Sequence, residues 1–320
     1  MAMLNPSALS GQAGKHNADL TSQIFLDSPS FDEVIQSIAD AIARESPSGF
    51  RLLFRWAADD VENFHSQLSQ LPQRDAISRF EYDYRSGILS LTMGESKGHA
   101  LWALYLCLVI LQKIRTIALT TSDEAVREAA NKIITIGTAA IKVKGKLWNQ
   151  PDVSFASLGD TTEATVVFEV AWSQSQQDVE DKAENYINGS NGKIQAVVIL
   201  DALYPDLEEA VVSLLVAAHD DGFRWEQRRQ VIHSDHLEQP DGVVGLYLSD
   251  FCGPSGLPAA YCRPPAGVSR FVFHSSFYLF LPAILTRSIS TGIPSWPSLT
   301  EYWGRFSVRP GMPSILRNIS

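Results

Sequence analysis

An acidic residue inside an apolar strand constrains this chain more than any other feature of its sequence. The run Thr165–Ala171 reads TVVFEVA, in which Thr165 and Glu169 are the only residues that are not apolar. Such a run is typical of a strand that is covered on both faces, where an unpaired carboxylate costs several kcal/mol. Glu169 therefore needs compensation. The alternatives are a divalent cation shared with a second carboxylate, a lysine or arginine partner, or a place where the strand is open to solvent.

The sequence around this strand predicts an α/β order of elements with a mixed sheet. A hairpin comes first, in which RFEYDY and ILSLTM flank a turn at Gly87. Residues 98–114, GHALWALYLCLVILQKI, follow as a long helix that is apolar almost all round, so we expect it to be covered on most sides at the centre of a domain. Strands are then predicted over 133–147, 151–158 and 165–173, a helix over 176–187, and a buried strand over 193–203.

These patterns divide the chain into four parts. Residues 1–30 are rich in Ser, Ala, Gly and Asn and are expected to form a flexible leader. Residues 31–76 are expected to form a helical extension, with one helix capped by Ser30 and another over 54–71. Residues 77–205 form the predicted core. Residues 206–320 form a partly irregular C-terminal extension, with a helix predicted over 207–219 and a strand over 242–252.

The overall composition is that of an ordinary globular protein, with 45% hydrophobic and 19% charged residues among 320. A formal net charge of -10 gives no global sign of nucleic-acid binding. The N-terminus lacks the apolar core of a signal peptide, and the most apolar run, Ala100–Leu111, is shorter than the about 20 residues that span a bilayer. Three cysteines form no disulfide framework or zinc pattern. We therefore predict an intracellular protein, cytoplasmic or nuclear, with no membrane partner.

Asp152 and Lys182 lie on either side of Glu169 in the predicted elements. Asp152 begins the strand 17 residues before Glu169, and Lys182 lies 13 residues after it in the next helix. Two carboxylates on neighbouring strands would supply the hard oxygen ligands that Mg²⁺ or Mn²⁺ prefers. Such an ion polarises a phosphoryl group and activates water. A lysine nearby would orient that water or neutralise the developing charge.

The order of these residues resembles the PD-(D/E)XK restriction-endonuclease-like superfamily, most closely its branch of endonuclease-like proteins abundant in cyanobacteria and related fungal proteins. The matching features are the hairpin before Gly98-His99, Pro151-Asp152, Phe168-Glu169-Val170 followed by Ser173, the pair Lys182 and Tyr186, and the strand that begins at Gly192. They cover about residues 80–205. The resemblance implies a restriction-endonuclease-like core, with a mixed central sheet flanked by helices, plus N-terminal helical and C-terminal extensions.

The resemblance also implies an activity, the metal-dependent hydrolysis of DNA or RNA phosphodiesters. Asp152 and Glu169 would hold Mg²⁺ or Mn²⁺, and Lys182 and His99 would complete the catalytic residues. One position departs from the pattern, because Ala171 stands where the superfamily has a lysine two residues after the glutamate. Lys182 can reach the same space from the adjacent helix. If Lys182 points to solvent instead, we expect a catalytically inactive nuclease fold that serves as a binding or scaffold module.

Several other polar residues have two interpretations each. His99 would be a metal ligand or proton carrier, or a plain polar residue at a helix start. Lys142, Lys144 and Lys146 alternate along a predicted strand and so share one face, which would bind the phosphates of a polyanion or protect an edge strand from pairing.

The C-terminal part of the chain carries further signals of this kind. From Phe251 onward six arginines face one acid, Glu301, which indicates a segment that docks a protein partner, or a poorly ordered end. Residues 233–236, HSDH, are half of a metal site or a surface loop. Trp172 would stack on a base or pack at the strand edge, and Asp250 is expected to form a turn.

Overall fold

The computed structural model describes residues 23–43, 50–94, 97–159, 163–171, 174–202, 209–218, 222–234, 244–252 and 270–272. These residues belong to one unit, Met1–Ser275, and the second unit, Ser276–Ser320, lies outside the described residues. Most of the predicted leader and most of the C-terminal arginine-bearing segment also lie outside them. The described part is an α/β structure with mixed sheets, which confirms the predicted class.

The first sheet combines N-terminal strands with the predicted hairpin. Its strands, numbered along the chain, are β1 (Gln23–Leu26), β2 (Phe50–Arg55), β3 (Ile77–Asp83), β4 (Ile88–Met93), β6 (Ile141–Val143) and β7 (Leu147–Asn149). Their order is β1-β2-β4-β3-β7-β6, with β1 and β2 parallel and the other pairs antiparallel. Gly87, whose φ is 68°, lies in the β3–β4 turn, and the predicted hairpin is confirmed.

One face of the first sheet forms a core with two helices, α1 (Phe31–Ala43) and α2 (Val61–Leu68). A short 3-10 helix, Pro72–Ala76, leads into β3. Ser30 starts α1 as predicted, because its hydroxyl accepts a hydrogen bond from the Glu33 backbone while the Glu33 carboxylate accepts one from the Ser30 backbone. Side chains alternate along β2, so Leu52 is buried in this core.

The second sheet contains the predicted strand with Glu169. Its strands are β5 (Ile133–Gly137), β8 (Val153–Ser157), β9 (Val166–Ala171), β10 (Ala196–Ala202), β11 (Glu209–Ala217) and β12 (Phe223–Ser234), in the order β12-β11-β10-β9-β8-β5. β9 and β10 are parallel and are connected through α5 (Gln176–Gly189), whose first turn is capped by the Ser175 hydroxyl. Val179, Ala183 and Tyr186 of α5 are buried in one cluster with Val167 and Val197 of these strands. The predicted strand, helix and strand are confirmed.

The long apolar helix, α3 (Lys97–Thr120), packs against β5, β8, β9 and α4 (Glu124–Lys132). It buries a stripe with a spacing of four residues, namely Trp102, Leu106, Ile110, Ile114 and Ala118. On its other side Leu104 is 52% exposed and Leu108 is 54% exposed. The expectation that this helix is covered on most sides was therefore wrong.

The same helix bears on the prediction about membranes. Among the described residues, His99–Thr120 has the length and apolar composition of a membrane-spanning helix, a test that core helices of soluble proteins also pass. Of the apolar window within this helix, 28% is buried inside the structure. Cytoplasmic or nuclear location stays a prediction.

Three predictions of element type were wrong. The helix predicted over 54–71 begins as strand β2 and becomes helical only at Val61. The helix predicted over 207–219 is strand β11, because VVSLLVA pairs with β10 on one side and β12 on the other. The hydrophobic periodicity of such a short, continuously apolar run does not distinguish a buried strand from a buried helix. The strand predicted over 242–252 is β13 (Gly245–Tyr247), paired with β14 (Arg270–Val272), followed by helix α6 (Leu248–Cys252).

The two large sheets cross both predicted boundaries of the core. β2 pairs with β4, so residues 31–76 contribute to the first sheet and are not a helical extension alone. β1 lies inside the predicted leader and pairs with β2. Beyond residue 205, β11 and β12 continue the second sheet. Pairing satisfies the backbone groups that a strand edge would otherwise leave open.

Candidate functional site

Strand β3 carries charged residues on one face and core residues on the other. Phe80 and Tyr82 are buried in the first core, so the alternation of a strand points Arg79 and Glu81 to the opposite face. Glu81 is buried on that face. The first sheet therefore contributes charges to a buried cluster beside the second sheet.

The register of β8 and β9 brings the two predicted acids to one face of the second sheet. Val153 pairs with Phe168 in this antiparallel pair, so one step further along the register Asp152 lies opposite Glu169. Side chains of directly opposed residues point to the same side. Glu169 is 1% exposed and Asp152 is 2% exposed. The Asp152 Oδ2 atom accepts a hydrogen bond from the Val170 backbone N–H at 2.5 Å, which fixes its orientation.

Lys182 enters this cluster from α5 and joins the acids of both sheets. Its Nζ atom lies 2.9 Å from Glu169 Oε2 and 2.6 Å from Glu81 Oε1, and it donates to the Gln150 carbonyl at 3.3 Å. One helical turn later, the Tyr186 hydroxyl donates to Glu169 Oε1 at 2.8 Å. Lys182 is 8% exposed. It therefore points into the cluster and not to solvent.

Arg79 and His99 surround the remaining oxygen of Asp152. The Arg79 guanidinium contacts Asp152 Oδ1, and His99 Nε2 lies 2.8 Å from the same atom. The two nitrogen groups are themselves 3.3 Å apart. His99 lies in the first turns of α3, where the sequence predicted it. The side chains of Arg79 and His99 are 11% and 16% exposed, so they form the side of the cluster that reaches solvent.

The three acids of the cluster have pKa values that are shifted in different directions. Burial alone would raise the pKa of Asp152, but the Arg79 guanidinium and the hydrogen bond from His99 outweigh it and hold this pKa well below its usual range. Burial likewise opposes ionisation of Glu81, yet Lys182, Arg79 and Arg51 lower its pKa. At Glu169 burial prevails, because the Asp152 and Glu81 carboxylates add to it, and the pKa of Glu169 rises to about 7.

The same contacts keep the cationic and phenolic groups protonated. Burial would lower the pKa of Lys182, but the Glu169 and Glu81 carboxylates outweigh it and the pKa is raised. The pKa of the Tyr186 hydroxyl is raised well above its usual value by burial and by Glu169. Both groups therefore remain donors to Glu169 at neutral pH.

The donor chemistry of the cluster fits Mg²⁺ or Mn²⁺, since Glu81, Asp152 and Glu169 are hard oxygen ligands. Burial raises the pKa of Glu169, and the neighbouring Asp152 and Glu81 carboxylates add to that effect. However, Asp152 and Glu169 are both engaged by protein cations. Within the described stretches, no group of three or more His, Cys, Asp or Glu side chains is arranged to hold a metal ion. Of the alternatives that the sequence left open for Glu169, the structure contains the lysine partner, Lys182.

The predicted lysine row does not form. Only Lys142 lies in β6, and Lys144 and Lys146 lie in the turn before β7, where Gly145 has a φ of 70°. Lys142 Nζ lies 3.7 Å from the centroid of the Trp148 ring, and Lys146 Nζ donates to Asn191 Oδ1 at 2.6 Å. A turn breaks the alternation that would have aligned the three side chains, so the prediction that they share one strand face was wrong.

Other predicted residues fall in different places. Asp250 lies in α6 and not in a turn, and its Oδ2 atom accepts from the Tyr247 backbone N–H at 2.9 Å. His233 lies at the end of β12, and the rest of the proposed half-site, Asp235 and His236, lies outside the described residues. Trp172 and Ser173 also lie outside them.

Two site residues, Arg79 and Glu81, were missed by sequence reasoning. Their alternation with aromatic residues was visible, but nothing in the local pattern predicts that a lysine about a hundred residues later covers the charged face. Neither a known protein-family model nor a curated protein sequence matches this chain.

Proposed function

We propose that this chain is a nuclease-like protein of the PD-(D/E)XK type, a metal-dependent hydrolase of DNA or RNA phosphodiesters. The observation that carries the proposal is the Lys182 ammonium group, which meets Glu169 inside the cluster. Ala171 lies two residues after Glu169 and therefore on the same strand face, where it is buried and offers no charge. Lys182 supplies from α5 the charge that this position lacks.

The arrangement of elements supports a restriction-endonuclease-like core around the cluster. The β3–β4 hairpin precedes the long helix α3, the acid-bearing strands β8 and β9 are antiparallel neighbours, and α5 connects β9 to the parallel strand β10. These elements carry, in the same order, the motifs on which the resemblance to the superfamily rests. His99 at the start of α3 and Tyr186 on α5 both face the acids.

In this proposal Asp152 and Glu169 would hold Mg²⁺ or Mn²⁺, and Glu81 would be an additional oxygen donor in the cluster. The ion, when bound, would polarise the phosphoryl group and lower the pKa of water. Lys182 would neutralise the charge that develops on the phosphate during attack. Tyr186 would keep Glu169 oriented through its hydrogen bond, and His99, near the solvent side, would carry protons.

A second candidate function is a catalytically inactive nuclease fold that serves as a binding or scaffold module. One observation favours it specifically. Arg79 pairs with Asp152 and Lys182 pairs with Glu169, so the acids and cations of the cluster form a connected set of ion pairs. Such a set can stabilise a unique packing of two sheets without catalysing a reaction.

Cleavage assays separate the two functions. The substrates are a supercoiled plasmid and single-stranded DNA and RNA oligonucleotides, each with Mg²⁺, Mn²⁺ or EDTA. We expect cleavage that requires the metal and that falls at least about 100-fold in Asp152→Asn and Lys182→Met, because each change removes a charge from the reacting centre. Asp181→Asn is the matched control, since Asp181 is an exposed acid on the same helix as Lys182.

The result that would overturn the enzymatic proposal is equal cleavage by the wild type and Asp152→Asn, or no cleavage by the folded wild type with either metal on any of these substrates. In the second case the scaffold function becomes the better description. Near-ultraviolet circular dichroism of each variant establishes that it is folded.

A further inference from the structure

Arg51 lies on the charged face of the first sheet, beside the cluster. It is opposite Thr92 of β4, and Thr92 is opposite Arg79 of β3, so these three side chains point to the same side of the sheet. Burial opposes ionisation of Glu81, but Lys182, Arg79 and Arg51 together lower its pKa, so the Arg51 charge acts on the cluster. The Arg51 side chain is 16% exposed and therefore also reaches solvent.

The Arg51 guanidinium is oriented by a hydroxyl group and not by a close carboxylate. Its Nε atom donates to the Oγ atom of the buried Ser90 at 2.7 Å. Its ion pair with Asp178 is long, since Nη1 and Oδ2 are 4.0 Å apart, and the Asp178 side chain is 49% exposed. A solvated pair of this kind contributes little. Arg51 is therefore a fixed guanidinium with a weak ion pair.

The cations inside the cluster differ from Arg51 in this respect. The Arg79 guanidinium contacts Asp152, and Lys182 Nζ lies 2.6 Å from Glu81 Oε1. Either of them would have to leave a close, buried carboxylate before it could bind another anion. Arg51 would give up only the long contact with Asp178, which can turn into solvent because it is half exposed.

We propose that Arg51 binds a phosphate group of the nucleic-acid backbone and so positions the strand beside the cluster. This inference rests on the proposed function for the class of substrate, and it requires no metal ion. A guanidinium presents planar donors that match the oxygens of a phosphate. Because Ser90 engages Nε, the two Nη groups are the donors to that phosphate. Arg51 lies outside residues 80–205, so the resemblance to the superfamily assigns it no role.

Nucleic-acid binding without turnover tests this role. The probes are fluorescently labelled single-stranded DNA, single-stranded RNA and duplex DNA, and their anisotropy is measured in EDTA at several salt concentrations. We expect Arg51→Met to bind at least about tenfold more weakly than the wild type, because a hydrogen bond to a charged group changes an equilibrium by about that factor. The slope of log affinity against log salt concentration should fall by about 0.7 to 0.9, as the loss of one phosphate contact requires.

Two further variants make the measurement specific. Arg55→Met is the matched control, because Arg55 lies on the same strand but is mostly exposed and pairs with Asp27 at 3.3 Å. Its affinity should stay within about twofold of the wild type. Arg51→Lys keeps the positive charge without the planar fork, so it should bind with intermediate affinity and keep the salt slope. It also preserves a test if Arg51→Met does not fold, which circular dichroism would reveal.

The outcomes distinguish this inference from the function on which it rests. If the wild type binds an oligonucleotide and the folded Arg51 variants bind it equally tightly, the role of Arg51 is overturned and the proposed function survives. An equal loss in Arg51→Met and Arg55→Met would reveal a general effect of charge and overturn it as well. If the folded wild type binds none of the probes, the inference is overturned, and the cleavage assays with Asp152→Asn decide the proposed function separately. Weaker binding with a smaller salt slope in Arg51→Met alone supports the inference.

Discussion

Glu169 is compensated by a set of groups and not by one partner. Lys182 pairs with one of its oxygens and the Tyr186 hydroxyl donates to the other, while the nearby acids Asp152 and Glu81 oppose its ionisation. Near neutral pH the protonated and the ionised form of Glu169 are therefore both populated. This residue has the balance of burial and charge that is found at functional sites.

The raised pKa of Glu169 makes the stability of the protein depend on pH. In the unfolded chain this carboxyl titrates near 4.5, and in the fold near about 7. Between these values the folded state retains a proton that the unfolded state releases, so the contribution is fully present below pH 4.5 and is lost as the pH rises through about 7. Asp152 has the opposite sign, because its pKa is lowered and its contribution is lost only in acid.

We therefore expect the difference in unfolding free energy between Glu169→Gln and the wild type to change as the pH rises. Relative to this variant, the wild type should lose up to about 3 kcal/mol of unfolding free energy between pH 4.5 and 8, since one pKa unit corresponds to about 1.4 kcal/mol. Urea unfolding across this range measures the difference. Glu163→Gln is the control, because Glu163 forms a half-exposed pair with Lys193 that contributes little. A constant difference between the wild type and Glu169→Gln would contradict a protonated Glu169.

At the scale of elements, α3 is the clearest case in which composition and position disagree. Its sequence is apolar almost all round, yet the stripe that faces the second sheet and α4 is buried while Leu104 and Leu108 are exposed. Residues four apart lie on the same side of the helix. Leu106 therefore lies on the buried side, whereas Leu104 and Leu108 lie together on the outer side. Burial along this helix is therefore decided by the sheet that it meets and not by its own pattern.

Paired substitutions in α3 test this division. Leu106→Ala should destabilise the protein by about 2–5 kcal/mol, because it leaves a cavity against the second sheet. Leu104→Ala removes the same atoms from a side chain that is already half exposed, and it should cost no more than about 1 kcal/mol. Urea or thermal unfolding measures both. Equal losses in the two variants would mean that the outer face of α3 is covered in solution.

At the scale of the whole molecule, the candidate site is the place where the two large sheets are tied together. The first sheet contributes Arg79 and Glu81 through β3, the second contributes Glu169 through β9, and α5 links them through Lys182. β7 joins the two layers as well, because Trp148 is buried in the first core and the adjacent Leu147 in the cluster beneath α5. The site depends on this junction more than on any single element.

Gly189 of α5 lies in close contact with Leu147 of β7 at this junction. A Cβ atom added there would lie 2.9 Å from Leu147 Cβ and 3.2 Å from the Lys146 carbonyl oxygen, so α5 would have to move away from β7. We expect Gly189→Ala to cost about 1–3 kcal/mol in unfolding free energy, as overpacking does. Gly159→Ala, where a Cβ would meet no atom within 4 Å, should stay within about 0.5 kcal/mol of the wild type. If Gly189→Ala had the same unfolding free energy as the wild type, α5 and β7 could move apart at little cost.

The sequence by itself determined the features that depend on neighbours along the chain. The cap at Ser30, the turn at Gly87 and the strand, helix and strand around Glu169 all follow from local chemistry, and the structure contains them. The spacing of Lys182 and Tyr186 on one helical face was equally visible. A lysine or arginine partner was one of the three alternatives that the sequence left open for Glu169, and the structure contains it in Lys182.

Only the tertiary structure decided which surfaces are covered. The charged face of β3 is buried because Lys182 of α5 meets it, VVSLLVA is a strand because β10 and β12 lie beside it, and half of α3 is exposed because the second sheet covers only one side. The turn at Gly145 likewise separated lysines that a continuous strand would have aligned. Local patterns report the preferences of one element, whereas burial and charge pairing depend on residues far apart in sequence that come together only in the fold.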